Sequence, residues 1–309
     1  MCYRKLLMGA AIWLPLMAAM AATATAADLP ERLRDPHGDA LVVSHRACWK
    51  FASENTLDGI AACIAHGVDM VEVDVRTTRD GTLVLMHDER VDRTTDGHGA
   101  VAELDAAQIA ALRVRSRGGG RTSILTKRHP PTLAQALAAA RGRVLVNLDV
   151  KAAALDQVMD VVEAAAAQRD VLLNVPLDVP QAALQRAHAA GIALQVLYLQ
   201  RDAALSPQQA LRQAAALRPA VVQLMFDDPA VLAIAQRELA PHARLFVNTM
   251  TNDIASGRPM RLSANYTDQR ALRDPASVWG ALRAHGVSMI QTDEPSALQR
   301  YLRESDMNQ

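Results

Sequence analysis

Glu72 and Asp74 stand in Val71-Glu72-Val73-Asp74-Val75, an otherwise apolar run. Two residues apart on a strand, they project from the same face. Paired carboxylates in such a setting repel and are costly to bury without a cation. Oxygen donors favour a hard divalent ion, Mg²⁺ or Ca²⁺. Salt bridges to arginines such as Arg76 are the alternative. Asp149, in Val146-Asn147-Leu148-Asp149-Val150-Lys151, closes the next expected barrel strand and is placed to complete a metal-ligand set.

Two histidines follow apolar runs: His45 after 41–44 and His87 after 82–86. Cleaving a phosphodiester requires one group to take a proton from the attacking oxygen and another to protonate the departing one. Imidazole, with an ordinary pKa near 6.5, suits both tasks. Arg46 offers a forked set of donors for phosphate oxygens, and Lys151 a point charge. The expected site is therefore catalytic His45 and His87, phosphate-binding Arg46 and Lys151, and metal-binding Glu72, Asp74 and Asp149. His66 reads as a partner of its helix C-terminus, and His98 and His129 as solvated. Gly118-Gly119-Gly120 lacks a following Lys-Ser/Thr, so it is no phosphate loop and reads as a flexible turn.

The elements that must carry these groups alternate. Strand-like apolar runs fall at 41–44, 69–75, 144–150, 171–175, 192–198, 220–224, 243–248 and 287–290. Ala/Leu-rich helical segments separate them, among them 152–168, 181–190, 206–217, 229–239 and 275–285. Continuous apolar strands alternating with helices imply a parallel sheet covered on both faces. Eight of them in about 250 residues predict an α/β fold of the closed (β/α)₈ type, a TIM barrel. Arg79-Asp80-Gly81 between apolar runs predicts a hairpin after the second strand, and residues 89–131 form an insertion on the catalytic rim.

The first 26 residues read as a signal peptide: Arg4 and Lys5, an apolar run from Leu6 to Ala22, and the small residues Ala24-Thr25-Ala26. An uncleaved anchor is the alternative reading. The expected organisation is signal peptide 1–26, polar connector 27–40 and barrel 41–309. The expected location is exported, periplasmic or secreted. Without its signal the chain has 31 basic and 33 acidic residues. Lacking a polybasic run, it offers no nucleic-acid footprint and no stable membrane anchor. Cys48 and Cys63 remain. An oxidising compartment permits a bridge between them, and two buried thiols are the other possibility, since Cys63 reads as a helix-core position.

In their order and spacing, His45-Arg46-Ala47, Glu54-Asn55-Thr56, Glu72-Val73-Asp74, Thr78-Arg79-Asp80-Gly81 and His87-Asp88 resemble the glycerophosphodiester phosphodiesterase family. Gln291-Thr292-Asp293-Glu294-Pro295 is a weaker echo near the end. The resemblance implies the same barrel, with His45 and His87 as the acid–base pair and Glu72 and Asp74 as metal ligands. It also implies that Glu54 is an acid near the site. Two departures stand out. Ala47 replaces the family's usual glycine, so a backbone shape that glycine reaches easily must be reached with a side chain present. Asp149 stands where the family usually has Glu.

The function implied is metal-dependent hydrolysis of a small-molecule glycerophosphodiester to glycerol 3-phosphate and an alcohol. The alternatives are phospholipase D-type cleavage of lysophospholipid or sphingolipid head groups, and non-catalytic binding of glycerophosphodiesters. The mostly polar insertion argues against the lipid alternative, and the presence of every expected group argues against the binding one.

Overall fold

The computed structural model describes residues 29–201 and 204–307. The expected signal peptide 1–26 lies outside the described residues. The strands are β1 (Leu41–Ser44), β2 (Met70–Thr77), β3 (Leu83–Leu85), β4 (Leu145–Ala152), β5 (Val171–Val175), β6 (Ala193–Leu199), β7 (Val221–Met225), β8 (Arg244–Asn248) and β9 (Val287–Thr292). All but β3 run parallel. β1 pairs with both β2 and β9, so the eight parallel strands close into a (β/α)₈ barrel. The antiparallel β3 adds the expected hairpin to β2, with Val75 opposite Leu85.

Side-chain alternation sorts each strand into two environments. Val71, Val73 and Val75 of β2 face outward into the core shared with the surrounding helices. The inward residues stack in layers, as barrels of this kind require. The lowest layer is apolar and contains Leu41, Val43, Met70, Leu145, Leu172, Ala193, Val221, Phe246 and Met289.

The segment 27–40, expected as a polar connector, instead contains the helix α1 (Leu29–Arg34). Leu29 and Leu33, four apart and so on one face, join that lowest layer. The fully buried Arg244 fastens the segment by donating to the backbone carbonyls of Arg32, Gly38, Asp39 and Ser288. Its charge spacing hid this role, because only two of its residues need to be apolar to seal the barrel floor.

The insertion 89–131 has a core of its own, in which Val91, Val101 and Ile109 pack against Val84 and Met86. Among the described residues, no helix is long and apolar enough to cross a membrane.

Candidate active site

The acidic groups come from neighbouring strands in register. Asp74 of β2 lies opposite Asp149 of β4, and Glu72, Asp74 and Asp149 each bring an oxygen within 4.8 Å of the others. Lys151 Nζ lies 2.6 Å from Asp149 and 3.3 Å from Asp74. Lys151 thus sits against the carboxylates rather than apart from them. Arg76 takes no part, because its guanidinium donates to the His87 carbonyl.

Burial, with Asp74 and Asp149 beside it, pushes the Glu72 carboxyl well above the usual range. Burial acts the same way on Asp74, but Lys151, His87, Arg46 and the Asn55 hydrogen bond outweigh it and lower its pKa to about 2. Burial and like-charge repulsion thus favour a proton on Glu72 while no further positive charge is at hand. Three hard oxygen donors this crowded fit a divalent cation, which would displace that proton.

Both histidines are anchored through Nδ1. His45 Nδ1 lies 2.9 Å from Asp293 Oδ1, which also accepts from Trp49 Nε1 at 2.6 Å. His87 Nδ1 lies 2.8 Å from Asp88 Oδ1. Burial opposes ionisation of Asp293 and of Asp88, but the hydrogen bonds they accept hold both below the ordinary carboxylate value. An ionised carboxylate only accepts, so each Nδ1 carries a proton and each Nε2 is left for proton exchange.

The backbone that delivers His45 is unusual. Arg46, Ala47 and Cys48 all have left-handed φ, at 45°, 54° and 57°. Side chains disfavour this conformation, so the three must be held. Arg46 N–H donates to Glu72 Oε2 at 2.8 Å and Ala47 N–H to the Glu72 carbonyl at 2.9 Å. Cys48 is bridged to Cys63 of α2 (Leu57–Ala65). The alanine in the place of glycine is thus accommodated, and the thiols are a disulfide.

Arg46 lines the cavity, yet its guanidinium is almost fully buried and donates to Glu54 at 3.2 Å. Glu54 lies near the site through its arginines and outside the three-carboxylate cluster: it accepts from Arg93 at 2.7 and 2.8 Å as well. His66 caps α2 and stacks on Phe51 at 4.1 Å.

In register with Glu72, and below Asp74 and Asp149, Asn147 begins a layer of amides. Asn147 donates to Gln195, Gln195 to Gln223 at 2.8 Å, and Gln223 to Asn248 at 2.8 Å. Gln291 donates to Glu72 at 3.2 Å. His45, His87, the three acids, Lys151 and these amides line one cavity of about 320 Å³.

Asp88, Arg93, Asp293 and the amide layer were not among the expected site residues. Asp88 and Asp293 do belong to sequence motifs, the first directly after His87 and the second in the closing echo. The amides were legible as single polar residues inside apolar strand runs. Arg93, in Arg93-Thr94-Thr95-Asp96-Gly97 of the insertion, carried no local signal of a role in the site.

The three carboxylates and two histidine–aspartate pairs lie at the C-terminal ends of the strands, the rim on which barrels of this class build their sites. Residues 45–175 match the model of the Glycerophosphoryl diester phosphodiesterase family, and residues 198–302 match a domain of unknown function. Over residues 45–175, under half of its length, the chain is thus similar to the glycerophosphodiester phosphodiesterase family.

The chain is similar to the glycerophosphodiester phosphodiesterase of Caldanaerobacter subterraneus, with 43% identity over 72 residues, covering 23% of this chain and 30% of the relative. It is also similar to glycerophosphodiester phosphodiesterase 1 of Homo sapiens, with 43% identity over 77 residues, covering 25% and 23%. These matches span under a third of each relative's length. The fold is shared with a glycerophosphoryl diester phosphodiesterase of Parabacteroides distasonis at TM-score 0.68 and 17% identity, covering 91% of this chain and 93% of that one. It is shared too with an Oleispira antarctica phosphodiesterase solved with sn-glycerol-3-phosphate, at TM-score 0.63 and 21% identity, covering 85% and 96%.

Proposed function

We propose that this chain hydrolyses glycerophosphodiesters to glycerol 3-phosphate and an alcohol, using a divalent metal. The observation that carries this reading is the meeting of two histidine–aspartate pairs and three carboxylates in one cavity. The product held by the Oleispira antarctica phosphodiesterase, which has the same fold, supports it.

Glu72, Asp74 and Asp149 would hold the cation, Mg²⁺ or Ca²⁺, which when bound supplies Lewis-acid polarisation of a phosphate oxygen. One imidazole Nε2 takes the proton of the attacking oxygen, and the other, protonated, gives its proton to the departing alkoxide. Asp293 and Asp88 stabilise the imidazolium forms. Each transfer is worth roughly 10² to 10⁴ in rate. Lys151, at the cavity wall, contacts phosphate. Arg46, buried against Glu54, serves phosphate by its charge.

The single barrel from residue 41 onward would act after export and removal of residues 1–26. The Cys48–Cys63 bridge supports an oxidising destination. Sequencing the N-terminus of protein recovered from outside the cytoplasm tests this, and a chain still starting at Met1 would overturn it.

The activity is tested by glycerol 3-phosphate release from glycerophosphocholine with chelator, Mg²⁺ or Ca²⁺, beside His45→Ala and His87→Ala. Metal-dependent release lost in both variants is the expected result. No release with either metal from folded protein would overturn the assignment, and lysophosphatidylcholine in a parallel arm tests the lipid alternative.

A further inference from the structure

Arg93 lies on the insertion, and all five of its N–H donors have acceptors. Nε and Nη2 donate to the two oxygens of Asp88 at 2.7 and 2.8 Å. Nη2 and Nη1 donate to the two oxygens of Glu54 at 2.7 and 2.8 Å. Nη1 also donates to the Gly118 carbonyl. A guanidinium has five donors in a fixed fork, so Arg93 keeps none for a substrate phosphate. Its side chain is 12% exposed. These facts argue against substrate binding and for a role exerted through Asp88.

The insertion is built to hold that guanidinium. Gly120 N–H donates to the Arg93 carbonyl at 2.8 Å. Gly119 has φ +70°, and a Cβ there would lie 2.6 Å from the same carbonyl. Gly118 is equally close-packed, since a Cβ on it would meet Ile254 at 2.2 Å. The glycine run is therefore a saddle under Arg93, where the sequence suggested a flexible turn. On the other side, Glu54 is fixed by Arg46 and by its own N–H, which donates to the Arg117 carbonyl at 2.9 Å.

We infer that Arg93 is a positioning residue for His87: seated on Gly118–Gly120 and braced on Glu54, it fixes the Asp88 carboxylate that orients the imidazole. Asp88 has a rotatable side chain one residue from His87, and its bond to that imidazole cannot by itself set where both groups point. Two parallel hydrogen bonds from a braced guanidinium do so, with the geometric specificity of a bidentate pair. The insertion thereby completes the catalytic rim.

The inference rests on the hydrolase reading, so its test has one arm that needs no turnover. In wild type, the Nδ1 proton of His87 is expected as a strongly downfield nuclear magnetic resonance signal, assigned by its loss in His87→Gln. Arg93→Gln and Gly119→Ala are expected to broaden or shift it, with the His45 signal unmoved. In the kinetic arm Arg93→Gln is expected to lower kcat about 100-fold with KM within about threefold, as loss of a transition-state contribution requires. Arg93→Lys is expected to recover about tenfold, since it restores charge but not both forks. The double variant Arg93→Gln/Asp88→Asn is expected to lose little more than Asp88→Asn alone, because residues acting as a unit are not additive.

An unmoved His87 signal, a loss confined to KM, or losses that multiply in the double variant would overturn the inference. Thermal melts of each variant identify loss of folded protein, and a melt unchanged beside an intact kcat would also overturn it. A silent wild type with a responsive His87 signal would count against the hydrolase reading alone.

Discussion

Asn55 and Asp74 hold each other by two hydrogen bonds of opposite sense. Asn55 Nδ2 donates to Asp74 Oδ2 at 2.7 Å, and the Asp74 N–H donates to Asn55 Oδ1 at 3.0 Å. Asn55 does this from a left-handed φ of 54°, a conformation asparagine tolerates better than most residues. Groups that orient metal ligands in this way commonly matter 10- to 100-fold in affinity. Asn55→Ala is expected to weaken Mg²⁺ or Ca²⁺ binding by about tenfold or more, read by calorimetry, and unchanged affinity would contradict it.

Lys151 shares the oxygens a cation would use, and its own pKa is raised: burial opposes this, and Asp74, Asp149 and Glu72 outweigh it. Lys151→Met removes the resident positive charge. Divalent affinity is expected to rise by about tenfold, the scale of one charge at short range in a screened site, while hydrolysis falls. Weaker metal binding in this variant would show that Lys151 assists the cation rather than competes with it.

Asp293→Asn replaces an acceptor by a group that cannot stabilise the imidazolium form of His45. Hydrolysis is expected to drop about 10²-fold or more, in line with what one proton transfer is worth, while the His87→Ala loss stays distinct. A variant with wild-type kcat would remove Asp293 from the mechanism.

The Cys48–Cys63 bridge closes 15 residues of sequence. In the chain-entropy account a loop of that length gives about 3 kcal/mol, comparable with the strain of three left-handed residues at about 1–2 kcal/mol each. Cys63→Ser, or wild type under dithiothreitol, is expected to melt at lower temperature and to lose activity before it unfolds. The measurement is a thermal melt with a parallel activity assay.

Asp88 titrates below its ordinary value of 3.8, burial being outweighed by the hydrogen bonds from Arg93 and His87. A depressed carboxyl stabilises the fold above its unfolded-state pKa, and that stabilisation fades as pH falls through the folded value. Asp88→Asn should therefore be less stable than wild type by about 1–3 kcal/mol at pH 7, with the gap narrowing below about pH 4. Urea melts across that range check it, and a gap that widens in acid would be contrary.

The strands were legible because buried parallel strands are uninterrupted apolar runs: the run 171–175 is β5 itself, and 287–290 begins β9. The clustering of Glu72 and Asp74 was legible because, two residues apart on one strand, they share a face. Two carboxylates there are costly to bury without a compensating charge. Asp293 is different. It meets His45 across 248 positions of sequence, and local patterning carries no information about that contact beyond the weak motif around it. The amides were visible singly, but only barrel closure shows that Asn147, Gln195, Gln223 and Asn248 form one hydrogen-bonded layer. The helix α1 escaped notice because Leu29 and Leu33 are too few to give a periodic signal.

That small helix also sets the traffic through the barrel. Leu29 and Leu33 seal the apolar lowest layer, and the linked amides lie across the interior above it. Whatever enters the cavity must leave by the same mouth. Of two products formed in a single-ended chamber, the one held deeper has to wait for the other to go. The deeper product would then compete directly with fresh substrate, and the shallower one would not.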